Sequence, residues 1–195
     1  MNFMSSDLSN ENYQNISTAE LLSSAQKNNW TELSLSGRSL LSIPDEIFEM
    51  NNLIKLDLSD SNITQIPSSI SRLRNLQFLV LARNNIKSIS PEIKKLRNLR
   101  KIDLSECNLM NIPVAVFLLE NLEVLYLDYN KISLIPQTIK YLRNLRVLTI
   151  TENKIMQLPP EIGRLHNLRV LKLARNNLSS LPKELRFMYS LKKYV

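Results

Sequence analysis

The chain has 195 residues, a single cysteine and a formal net charge of +7, a length that fits one domain. The lone Cys107 excludes an internal disulfide framework and points to a reducing compartment. Residues 1–14 lack the basic start and apolar run of a secretory leader, and no apolar stretch approaches the roughly 20 residues of a membrane span. The expectation is a soluble, cytoplasmic protein; a bacterial effector delivered into a host cytosol without a cleaved leader would read the same way.

Residues 1–15 show no periodic pattern and are expected to form a disordered tail. A capping helix is expected over 16–29. Ser17-Thr18-Ala19-Glu20 has the capping-box pattern, Ile16 is placed to staple onto Leu21, and Leu21, Leu22 and Ala25 form an apolar stripe. Asn28-Asn29 then stops the helix before Trp30.

From Trp30 onward the chain repeats every 23 residues, restarting at 53, 76, 99, 122, 145, 168 and 191. Residues 30–195 are therefore one repeat domain of seven full units and a terminal half-unit. Self-similarity at this period marks a solenoid. In each unit the offsets 0, 3, 5, 10, 13, 17 and 20 are apolar, and all 49 such positions in the seven full units obey. Alternation at offsets 3 and 5, as in Leu79-Val80-Leu81, predicts a short strand with one buried face. Spacing of three after a proline, as in Pro136, Ile139 and Leu142, predicts a helical turn or 3₁₀ segment starting at that proline. Such a unit cannot bury its own apolar side, so the core must close between stacked neighbours.

The pattern L-x-x-L-x-L-x-x-N-x-I resembles the leucine-rich repeat family, and the I-P-x-x-I-x-x-L segment most resembles its 23-residue intracellular class, found in Ras-suppressor-type, plant intracellular Ras-group and bacterial proteins. The resemblance implies an α/β fold: a right-handed horseshoe solenoid with a concave parallel sheet and short helical segments on the convex side. Asn84, Asn130, Asn153 and Asn176 are expected to turn inward and satisfy loop backbone groups. Arg38, Ser61 and Cys107 depart from that column; Arg38 is tolerable there if the first repeat has an open end. A second column at Asn52, Asn75, Asn98, Asn121, Asn144 and Asn167 reads as turn residues. Leu191 to Val195 reads as an eighth strand.

No catalytic constellation emerges. There is one histidine, His166, and the only glycines are Gly37 and Gly163, too few for a phosphate-cradling loop. Cys107 sits in the inward column and reads as buried rather than nucleophilic. The chain is expected to be no enzyme and to use no cofactor or metal.

Candidate binding residues are those that disagree between repeats. Strand positions pointing away from the core include Phe78, Val80, Lys101, Asp103, Val124, Tyr126, Asp128, Val147, Thr149, Val170 and Lys172, with Tyr129 at the rim. The aromatic and valine members are expected to be exposed, forming an apolar patch edged by charge, which is an interaction signature. The plain alternative is that β-branched residues simply favour strands. The expectation is a monomer whose concave sheet binds a protein partner, acidic in part, as an adaptor, signalling regulator or inhibitor. Two alternatives stay open. Arg74, Arg97, Arg100, Arg143, Arg146 and Arg169, with Lys94, Lys95 and Lys140, form a basic edge for nucleic acid or an anionic membrane. The other alternative is that the chain is a fragment of a larger multidomain protein. Phe117-Leu118 replaces polar residues of neighbouring repeats and reads equally as a convex contact or as lateral packing.

Overall fold

The structure is a computed structural model that describes residues 16–194, so the expected tail over 1–15 lies outside the described residues. The first element is α1 (Thr18–Lys27). Ser17 caps it: its Oγ accepts from Glu20 N at 3.2 Å, and Glu20 Oε2 accepts from Ser17 N at 2.9 Å. Leu21, Leu22 and Ala25 are buried against the first repeat, and Ile16 packs beside them. The end that would have left Arg38 open is thus covered. Arg38 Nη1 donates to Ile16 O at 2.9 Å and to Thr18 Oγ1 at 3.3 Å, tying the cap to the array.

Each repeat then contributes one three-residue strand to a parallel sheet. Its members are β1 (Glu32–Ser34), β2 (Lys55–Asp57), β4 (Phe78–Val80), β6 (Lys101–Asp103), β7 (Val124–Tyr126), β8 (Val147–Thr149), β9 (Val170–Lys172) and the two-residue β10 (Lys193–Tyr194). The strands lie in sequence order, and each residue pairs with its equivalent one repeat on: Lys101 faces Val124, and Val124 faces Val147. A second, two-stranded ladder joins β3 (Gln65–Ile66) to β5 (Ser88–Ile89). The opposite side of every full repeat is a five-residue 3₁₀ segment, such as Gln137–Tyr141. Proline is not its first helical residue in most repeats but its N-cap, as at Pro67, Pro113 and Pro136. The third repeat shifts by one: Ser90 caps, and Pro91 opens the segment.

The core columns close between units. In the second to sixth repeats all seven columns are buried. Exceptions fall in the outer repeats: Trp30 and Leu40 in the first, and Leu178, Leu181 and Leu185 in the seventh are partly or largely exposed.

The turns need more than apolar burial, because their buried backbone groups require partners. Asn130 supplies five. Its Oδ1 accepts from Cys107 N and Leu109 N at 3.0 Å, and its Nδ2 donates to Leu104 O, Leu127 O and Asp128 O at 2.8–3.2 Å. Asn84 repeats the pattern, and Asn153 and Asn176 follow it. Where the column holds Ser61 or Cys107, the hydroxyl or thiol donates to the same carbonyl of the preceding repeat, Leu35 O at 2.8 Å or Leu81 O at 3.1 Å. Neither side chain can supply the amide oxygen as well. In the second repeat the Ser61 carbonyl takes over, accepting from Leu40 N at 3.0 Å. In these two repeats alone the next residue, Asn62 or Asn108, has positive φ, a conformation Asn tolerates. The second asparagine column also crosses between repeats: Asn98 Nδ2 donates to Arg74 O, and Asn144 Nδ2 to Glu120 O, both at 2.9 Å.

Substituting Asn130 by Ala strips Cys107 N, Leu109 N and Leu104 O of their partner, while Leu127 O keeps Asn153 Nδ2 and Asp128 O keeps Glu106 N. At about 1–3 kcal/mol for each group that water cannot reach, the loss should be at least about 3 kcal/mol. Cys107→Ser keeps the donor and should cost under about 1 kcal/mol. Urea denaturation of both variants checks the ranking; equal midpoints would contradict the ladder's role.

Candidate functional site

On the sheet, alternation puts Leu33, Leu56, Leu79, Ile102, Leu125, Leu148 and Leu171 inward, leaving their neighbours on the concave face. Phe78 lies at 38 % exposure, and Val80, Val124, Tyr126, Val147 and Val170 are half-buried rather than exposed. Strands roughly 4.8 Å apart shield one another's side chains, so a concave row shows water only its outer surface. Val124, Val147 and Val170 are in register on adjacent strands and form an unbroken aliphatic row.

Thr149 is different. It is 4 % exposed, and its Oγ1 donates to Asp128 Oδ2 at 2.5 Å while Thr151 N donates to Asp128 Oδ1 at 2.6 Å. Asp128 therefore locks two strands together, and Thr149 has little surface to offer a partner. Asp103 Oδ1 accepts from Ser105 N at 3.0 Å, as Asp57 Oδ1 does from Ser59 N at 2.9 Å. Lys101 Nζ sits 4.5 Å from the Tyr126 ring centroid, a cation–π contact that fixes both side chains across β6 and β7. Lys172 is exposed.

The rim follows a rule that composition did not reveal. Gly37, Asp60, Arg83, Glu106, Tyr129, Glu152 and Arg175, one per repeat, all have φ between +52° and +74°. Only the first is glycine, so the remaining six carry a strain of roughly 1–2 kcal/mol each. The amides of the first six extend the ladder past the strand end: Tyr129 N donates to Thr151 O, and Glu106 N to Asp128 O, both at 2.9 Å. The turn then carries the chain inward to the Asn column. Side chains on this rim pair along it. Arg83 Nε lies 3.2 Å from Glu106 Oε1, and Arg175 bonds to Glu152. Tyr129 stands between the two pairs at 59 % exposure.

At the other edge, Glu123 holds Arg100 at 3.6 Å and Arg146 at 3.3 Å. This breaks the basic edge at the fifth repeat, as Glu120 does one turn earlier. Arg74, Arg97, Arg143 and Arg169 remain exposed. On the convex side Phe117 is buried at 4 %, so it packs laterally, while Leu118 is 39 % and Val114 75 % exposed.

The profile of the family described as leucine rich repeat matches residues 28–92, 97–155 and 143–193, and a two-copy leucine rich repeat profile matches 74–115. The chain belongs to the leucine-rich repeat family. A search of curated proteins finds no match. Among solved structures, a leucine-rich repeat protein of Leptospira interrogans is similar, with 38 % identity and a TM-score of 0.82 over 87 % of this chain. The chain spans 43 % of that protein's length. Internalin C2 of Listeria monocytogenes shares the fold, with 24 % identity, a TM-score of 0.70 and 91 % coverage of both chains. The solenoid is thus related to bacterial leucine-rich repeat proteins.

Among the described residues no three His, Cys, Asp or Glu side chains gather to hold a metal, and no helix is long and apolar enough to cross a membrane. The single thiol is fully buried, and burial pushes the Cys107 pKa up from 9.0 to about 11, with the nearby Asp103 and Glu106 charges adding to the rise. A folded-state acid with a raised pKa makes stability fall as pH climbs from 9.0 toward 11, because only the unfolded chain ionises there. Cys107 should accordingly resist an aromatic disulfide reagent at pH 8 and react promptly in urea. The alkaline loss of stability should shrink in Cys107→Ser; rapid labelling of the folded protein would contradict this account.

Proposed function

We propose that this protein binds another protein through its concave sheet and works by holding it, as an adaptor, signalling regulator or inhibitor. The observation that carries this reading is the aliphatic row Val124, Val147 and Val170 beside Tyr126, half-exposed on a face that no element of the solenoid covers. The leucine-rich repeat fold generally mediates protein–protein interactions through this sheet. Apolar and aromatic side chains at the centre of an open face are the anchors that dominate binding energy. Phe78, Val80 and Tyr129 extend the anchor set, and Lys101, Asp103, Asp128 and Lys172 supply charged selection around it. Thr149 contributes through Asp128 rather than by contact.

The likeness to bacterial relatives favours a bacterial repeat protein of the 23-residue class, and an effector acting in a host cytosol is one setting for it. Residues 16–29 serve as the N-terminal cap and 30–195 as the binding array in this reading. The basic edge is the weaker candidate because Glu123 neutralises two of its arginines.

The test is capture of binding proteins by wild type and by two variants, with masses identified and folding checked by circular dichroism. Tyr126→Asp with Val147→Asp should abolish specific capture while the protein stays folded. Tyr129→Gly separates contact from stability. It relieves a left-handed φ of +56° and should leave the fold as stable or more so, by up to about 1 kcal/mol, yet weaken capture several-fold. Capture unchanged by the double substitution, with loss caused instead by Arg97→Glu and Arg143→Glu, would reject the concave reading.

A further inference from the structure

The charges on and beside the concave face are not evenly spread along the array. Residues 123–129, around β7, carry Glu123 and Asp128 and no cation. Residues 169–175, around β9, carry Arg169, Lys172 and Arg175 and no carboxylate, and Lys192 follows in the next unit. The local partners sharpen this difference. Glu123 and Asp128 are fixed, one between Arg100 and Arg146 and the other on Thr149 and Thr151. Arg175 is held by Glu152, but Arg169, Lys172 and Lys192 are exposed and pair with no carboxylate among the described residues. The aliphatic row Val124, Val147 and Val170 runs from the acidic strand to the basic one.

We infer that this face takes an acidic segment of a protein partner in one direction, with its carboxylates over β9 and its apolar residues on the valine row. The inference rests on the concave reading and names the chemistry that reading leaves open. Arg169 and Lys172 flank Val170 along the chain, one on the edge before the strand and one on its concave face. A segment with an Asp or Glu beside a Leu, Val or Phe meets both at once. A carboxylate shifted two strands toward β7 finds Glu123 already holding Arg100 and Arg146, Lys101 committed to the Tyr126 ring, and Asp128 rather than Lys172 nearby, so it gains less there than over β9. That asymmetry sets the direction of the bound segment, which an apolar row alone would not. An apolar core of contacts with charges at one end also predicts moderate salt dependence, unlike the steep fall expected for phosphate binding.

The test is selection of a random 12-residue peptide display library on the immobilised wild-type protein, followed by titration of synthesised winners. Enriched peptides should be net acidic and carry apolar residues. Their affinity should fall at least tenfold on Arg169→Glu with Lys172→Glu, both exposed positions where folding is unaffected. It should fall as far on Val124→Ser with Val147→Ser, which changes no charge, leaves the Lys101–Tyr126 contact in place and so reports the floor alone. Neutral or basic winners that lose affinity in the floor variant but ignore the charge reversal would overturn the inference and leave the concave reading standing. Winners indifferent to the floor variant would overturn both, and so would a library that yields no enrichment.

Discussion

Asn130 bonds to backbone groups of two successive repeats at once, and that cross-turn bonding is what the rest of the molecule depends on. A unit of 23 residues with one short strand and one 3₁₀ segment has too little interior to bury its apolar side. Stacking supplies the missing partner for each leucine, but it also buries the turns that link strand to convex segment. Their amides and carbonyls would be left without water, at a cost that grows with every repeat added. The inward asparagine answers that cost with one side chain carrying both a donor and an acceptor. Ser61 and Cys107 show what happens when the acceptor is missing: the donor bond survives and the backbone turns through a left-handed asparagine.

The same periodicity makes much of the fold readable from the chain. Strand and 3₁₀ positions follow from apolar spacing, and α1 follows from Ser17 and Glu20. What the chain did not disclose has physical reasons. Pro136 and its equivalents cap the 3₁₀ segments rather than open them, because apolar spacing of three does not fix the first helical residue. The left-handed rim was invisible because only Gly37 and Asp60 among its seven members belong to the residue types that tolerate positive φ. The amides of the first six members make an inter-repeat hydrogen bond that holds this conformation against side-chain preference. Arg38 was placed at an open end, yet the end is closed and Arg38 is part of the closure.

The concave face was legible as a set of columns but not as a set of roles. Alternation identifies which residues leave the core; it does not separate a contact residue from a strut. Thr149 and Asp128 fall in the same lanes as Tyr126 and Val147, yet their hydrogen bonds join neighbouring strands and hold the floor in shape. Lys101 is likewise committed to the Tyr126 ring. Asp128 and Lys101 thus present their charge from fixed positions, whereas the half-exposed valine row, Phe78, Tyr129 and the exposed cations Arg169 and Lys172 near β9 offer freer surface. The period accounts for how the surface is built, and the differences between repeats along the concave lanes give that surface its own chemistry.

Valine distribution offers the most direct check on this account. Val80, Val124, Val147 and Val170 lie on the concave strands, whereas Val114 and Val116 lie in the convex 3₁₀ segment. Methyl NMR of valine-labelled protein, titrated with a partner or selected peptide, reads both faces in one spectrum. Shifts confined to Val124, Val147 and Val170, with Val114 unmoved, are the predicted result. Shifts centred on Val114 with the concave valines silent would contradict it.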